Sequence, residues 1–196
     1  IEGFKYVRTH SGIGPLLVIL AFYSIFGRPF IELFPAFADE IFDQGVNGLA
    51  TLTSILGLGS IFGSLFLARR SGVMGLTRLL IFNVFLLSIS VIGFGSTNLY
   101  AFALCCTFIG GIAIVMIGVI EQTLLQSAAE DAMRGRILSF YTLIARGCPS
   151  IGALAAGGLE ELVGLQFSVI SGALLCIVLW NWAHLNSDKL ANYLEK

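Results

Sequence analysis

Six apolar stretches, each long enough to cross a bilayer as a helix, constrain this 196-residue chain more than any motif in it. They fall at residues 15–38, 46–68, 76–95, 99–125, 137–158 and 167–184. A hydrocarbon core of about 30 Å takes about 20 residues of helix to cross. In lipid only helices and closed barrels satisfy their own backbone polar groups. The connections are short, so consecutive spans are expected to be antiparallel neighbours. Composition points the same way, with 57% hydrophobic and 12% charged residues against roughly 45–50% and about 25% in a soluble domain. A water-soluble globule of this length could not hide so much apolar surface. A net charge of −1 offers no basic field for nucleic acid. The fold class expected is an all-α integral membrane protein with six transmembrane helices.

The basic residues set the expected orientation. Lys5, Arg8, Arg69, Arg70, Arg78, Arg134, Arg136, Lys189 and Lys196 fall on one side, and the opposite loops at 39–45, 96–98 and 159–166 carry none. Arg28 and Arg146 remain inside predicted spans. By the positive-inside rule the basic side is cytoplasmic, with both termini of this segment on it. Residues 1–14 mix Phe4, Tyr6 and Val7 with Lys5, Arg8 and His10, the pattern of a short interfacial helix or of a linker from a preceding domain. Residues 15–185 then form the six-helix bundle and residues 186–196 a cytoplasmic tail. The chain opens on Ile1, as expected of a fragment or a processed protein.

Small residues mark where helices approach in lipid. The second span has Gly57, Gly59 and Gly63, and the fifth has Gly147, Gly152, Gly157 and Gly158. Cys105, Cys106, Cys148 and Cys176 lie inside apolar stretches without a CxxC pair or a nearby His, so they read as small buried hydrophobes. Taken as three plus three, the spans correspond weakly. The first of each triplet carries intramembrane acid (Glu32, Glu121), the second is Gly-rich and the third is plainly apolar. Transporters are commonly built from such repeats, with the substrate path at their interface.

The charges inside the spans are the candidate site. A charge at a helix centre costs about 2.5–3.5 kcal/mol even on lenient scales, so it needs a partner or water. Arg28 and Glu32 are four residues apart and can pair on one helix face. Pro29 and Pro35 predict a kink there. Glu121 stands about 10 Å below the basic surface, close in depth to Arg146 on the next span. Two readings compete: ion pairs that lock helices together, or a polar cavity that binds substrate and carries protons. The general prior for intramembrane charge favours the cavity. Gln122, Gln126, Tyr23, Asn83 and Tyr141 are the residues able to add hydrogen bonds to it.

The run Glu121-Gln-Thr-Leu-Leu-Gln126 followed by Asp131-Ala-Met-Arg134-Gly-Arg136-Ile-Leu-Ser139 resembles the loop between helices ten and eleven of major facilitator transporters. It looks most like the branch of the enterobactin exporter and related bacterial efflux proteins. Gly147-Cys-Pro149-Ser-Ile-Gly152-Ala-Leu-Ala-Ala-Gly157, Gly27-Arg28-Pro29 with Leu33-Phe-Pro35-Ala36, and the opening Glu2-Gly-Phe-Lys-Tyr-Val-Arg8 also fit that branch. The resemblance covers nearly the whole chain, but corresponds to the carboxy-terminal half of a twelve-helix member. One departure stands out. The family pattern G-x-x-x-D-[RK]-x-G after the second helix of a half finds Arg69 and Arg70 between Gly63 and Gly72, but no Asp.

The resemblance implies proton-coupled export of a small organic molecule, such as a siderophore or drug, across the bacterial inner membrane, with no cofactor. It implies substrate contacts at Arg28, Glu32, Glu121, Gln122, Arg146 and Tyr23, and proton carriage by Glu32 or Glu121. It also implies a gating role for Arg69, Arg70, Arg134 and Arg136, and a missing amino-terminal six-helix half as partner. The partners expected are therefore the lipid bilayer, a small-molecule substrate, the proton gradient and that half, with no nucleic acid. Enzymatic chemistry is not expected, because the two histidines, His10 and His184, lie near the predicted membrane edges, away from any matched nucleophile or metal-ligand cluster. The alternative function is a non-transporting six-helix subunit or scaffold that needs a partner chain.

Overall fold

Each apolar run continues as helix until the backbone meets a residue able to turn it. The computed structural model describes residues 12–70 and 72–195. Six helices cross-membrane in length and apolarity follow: α1 (Ile13–Ile41), α2 (Gly45–Ala68), α3 (Leu76–Gly95), α4 (Tyr100–Ala128), α5 (Asp131–Val163) and α6 (Leu165–Leu185). A short helix α7 (Ser187–Leu194) closes the chain. No strand occurs among the described residues. The protein is thus an all-helical, multi-pass membrane protein, as expected. Most of the segment 1–14, read above as interfacial helix or linker, lies outside the described residues.

The third span matches its expected bounds, and the others run a few residues longer. The fifth differs most, starting at Asp131 instead of 137 and ending at Val163 instead of 158. Glu130 is extended and its carbonyl accepts the N–H groups of Met133 and Arg134 at 2.9 and 3.0 Å, so the polar run 131–136 is already helix. The expected loop 159–166 shrinks to a single turning residue, Gly164, with φ of +87°. The tail expected at 186–196 is also mostly helical, and it docks through buried Leu190 and Leu194.

Hydroxyls within the spans largely return to their own helices. Thr51, Thr53, Ser54, Ser88, Thr107 and Thr142 each donate to the carbonyl four residues back, at 2.8–2.9 Å. They are therefore satisfied without a ligand or a neighbour.

Glycine sets the tightest contact between helices. A side-chain carbon at Gly59 of α2 would overlap the carbonyl of Phe108, one at Gly63 would stand 2.8 Å from the carbonyl of Ile112, and one at Gly111 of α4 would overlap the carbonyl of Leu56. Backbones meet here as in other small-residue membrane interfaces. At the end away from the basic loops, Phe30, Phe34, Phe37, Phe42, Phe94 and Tyr100 form an aromatic core, with the Phe37 and Phe94 rings 4.6 Å apart.

The helix pairings carry the two-triplet pattern. The first helix of each triplet packs on the second and third helices of the other: α4 on α2 and α3, α1 on α5 and α6. The two third helices, α3 and α6, pack on each other. This leaves α2 and α5 the least enclosed of the six spans.

Candidate functional site

Where α1 meets α4 and α5, the sequence breaks a helix beside a buried carboxylate. Pro29 has no N–H to continue the ladder. The N–H groups of Gly27 and Arg28 both fall back on the carbonyl of Tyr23, at 2.8 and 3.1 Å. The helix therefore stops at Phe26, restarts as the short turns Pro29–Glu32 and Phe34–Ala36, and ends in a π-helical turn at Phe37–Ile41. Gly152 of α5 lets the break sit close, since a side chain there would overlap the Ile25 carbonyl and press on the Pro29 ring.

The break decides where Arg28 goes. Its Nη1 donates to the carbonyl of Ala145 on α5 at 3.4 Å. Glu121 of α4 is fully buried, and neither of its carboxylate oxygens has a hydrogen-bond partner. Arg28 stands within electrostatic reach of Glu121, and the phenols of Tyr23 and Tyr141 are within reach of both. Tyr23 is buried, and the Tyr141 hydroxyl donates to the carbonyl of Gly118 at 3.1 Å. Three polar side chains from two helices, α1 and α5, thus converge on the carboxylate of a third, α4. An ionised carboxylate in such a place needs a cation or a proton to offset its lost hydration.

The remaining candidates divide by position. Glu32 is exposed and forms no ion pair with Arg28 among the described residues, against the i,i+4 expectation. The physical reason is that the Arg28 guanidinium is drawn to the Ala145 carbonyl of α5, while Glu32 stays on an outer surface. Arg146 is also exposed and does not join Glu121. It lies with Gly135, Ser139, Thr142 and Gly147 along one open groove on α5. Gln122 and Gln126 are exposed on α4. Asn83 is buried, but its amide donates to the Leu79 carbonyl at 2.8 Å, so it serves its own helix.

The candidate gating arginines sit at one end of the bundle. Arg69 and Arg70 are exposed after α2, with Arg70 Nη2 on the Met74 carbonyl at 2.7 Å. Arg134 pairs with Asp131 at 2.8 Å within the first turn of α5, and Arg136 is exposed on the next. Sequence reasoning gave Tyr141 a minor part, whereas the structure places it beside Glu121. Its position in the α5 sequence carries no signal of that, because the proximity comes from how α5 packs on α4, where Tyr141 reaches the Gly118 carbonyl.

A protein family described as transmembrane secretion effector matches residues 1–190. No curated protein and no solved structure matches the chain.

Proposed function

Because the chain belongs to the transmembrane secretion effector family, a group of major facilitator transporters, we propose that it forms one six-helix half of an exporter that moves a small organic molecule by alternating access, driven by protons. Membership of that family makes it a membrane transport protein. The observation that carries the finer reading is Glu121, buried without a hydrogen bond and facing Arg28, Tyr23 and Tyr141 across a helix break. A carboxylate that shares one cation with two phenols can hold a proton in one state and give it up when Arg28 moves closer. Glu121 is the stronger proton carrier of the two acids, and Glu32, exposed on α1, is the lesser one.

The open groove of α5 supports a second six-helix half as partner. Arg146 cannot face lipid cheaply, and the small residues beside it allow close approach. In the assembled transporter Arg28 and Arg146 would contact anionic groups of the substrate, with Gln122 and Tyr23 adding hydrogen bonds. The basic loops holding Arg69, Arg70, Arg134 and Arg136 would then gate the cytoplasmic side of a bacterial inner membrane.

The test uses the full transporter in proteoliposomes. Glu121→Gln should abolish efflux driven by a proton gradient while leaving gradient-free substrate exchange, and Glu32→Gln should keep most of both. Efflux unchanged by Glu121→Gln would sink the proton-carrier role. A complete absence of flux in the wild type would favour the scaffold reading instead.

A further inference from the structure

The carboxy-terminal helix makes a contact that the transport site does not use. Helix α3 begins after Gly75, which has φ of +78° and no side chain with which to cap the exposed N–H groups of the first turn. The connection before it carries Arg69 and Arg70, and Arg78 follows in the first turn, with no acid between Gly63 and Arg78. A carboxylate reaches this place from the far end of the chain. Glu195 accepts the N–H of Gly75 on Oε2 at 2.6 Å and the N–H of Thr77 on Oε1 at 2.7 Å. Anions on a helix N-terminus gain from both the free N–H groups and the helix dipole.

Three further contacts hold the same helix. Leu190 and Leu194 are buried. Tyr193 abuts the start of α1, where a side chain at Gly12 would stand 2.9 Å from its Cβ. Arg78 pairs with Asp188 at 3.0 Å, but both side chains are mostly exposed, so that pair is weak. With eight residues, α7 is too short to be a stable helix on its own. It is helical when docked, and undocking melts it, so its contacts are gained and lost together.

We propose that α7 is a latch across the basic end of the bundle, held shut by the Glu195 carboxylate on the first N–H groups of α3. It ties the last helix of the second triplet to the last helix of the first. The carboxylate does from the tail what the α2–α3 connection, lacking an acid, cannot do for itself. Opening the latch frees the first turn of α3 and releases Arg78 from Asp188. This does not depend on the transport reading.

Hydrogen exchange of the full protein in lipid nanodiscs tests it. Raising salt from about 50 to about 500 mM, which screens exposed charge, should speed exchange of the amides at 75–79 about tenfold in the wild type. At low salt, Glu195→Gln should match the wild type at high salt, and Glu195→Asp should lie between. Asp188→Asn should have little effect, and amides in the middle of α3 should stay protected in every case. Exchange at 75–79 that ignores both salt and Glu195→Gln would overturn the proposal. So would a loss of protection spread evenly along α3 and α6, which would mark a general structural role instead of a latch.

Discussion

A buried carboxylate with no hydrogen bond is the least settled residue in this bundle, and its neighbours decide what it can do. Glu121 has Arg28 within electrostatic reach, so the two should be energetically coupled. Arg28→Ala should destabilise the protein more than Glu32→Ala does, because only the first strands a buried acid. Adding Glu121→Gln to Arg28→Ala should recover part of the loss, with a coupling of about 1–3 kcal/mol in thermal unfolding. Strict additivity would mean that the two residues do not sense each other. The sequence made these residues visible because ionisable groups are rare within spans. It did not make their partners visible. Arg28 and Glu32 share one short helical turn, yet the guanidinium goes to the Ala145 carbonyl of α5, a tertiary contact that spacing along one helix cannot show.

At the scale of elements, length and apolarity were enough to find all six spans, since lipid leaves a 20-residue apolar run little choice but helix. Ends were harder, because a polar turn such as 131–136 can be helix outside the apolar core. Helix α7 was missed for a related reason: only Leu190 and Leu194, four residues apart, distinguish its buried face within a polar tail. Glycine content was legible, yet its use was not. Gly59 and Gly152 meet a neighbouring backbone, whereas Gly57, Gly147, Gly157 and Gly158 have open space where a side chain would go. Gly59→Leu and Gly152→Val should therefore each cost about 1–3 kcal/mol by overpacking. Gly57→Ala, by contrast, should leave the melting temperature in detergent unchanged or raise it slightly. Equal losses at all three sites would contradict the packing described.

The whole molecule is unevenly covered. Of the described spans, α2 and α5 are the least buried, and α5 shows a polar stripe where α2 shows Leu58, Ile61, Phe62, Leu65 and Phe66. On the proposal that a second six-helix half completes the transporter, the α5 stripe should be wet. Single cysteines replacing Ser139 and Thr142, in a background free of native cysteine, should react with a membrane-impermeant thiol reagent, while one replacing exposed Phe82 of α3 should not. Silence at both stripe positions would place α5 against lipid or a tight dry interface.

The crossed pairing of the triplets also bears on how the molecule is made. Spans are inserted in chain order, yet α1 rests on α5 and α6, which leave the ribosome only after α2, α3 and α4. Until they arrive, Arg28 has neither the Ala145 carbonyl nor the neighbourhood of Tyr141. Its acidic neighbour Glu121 arrives only on a helix inserted three spans later. A charged helix that must wait this long is a natural client for an insertase or a chaperone, and mutations at Arg28 or Pro29 would be felt during biogenesis before they are felt in transport.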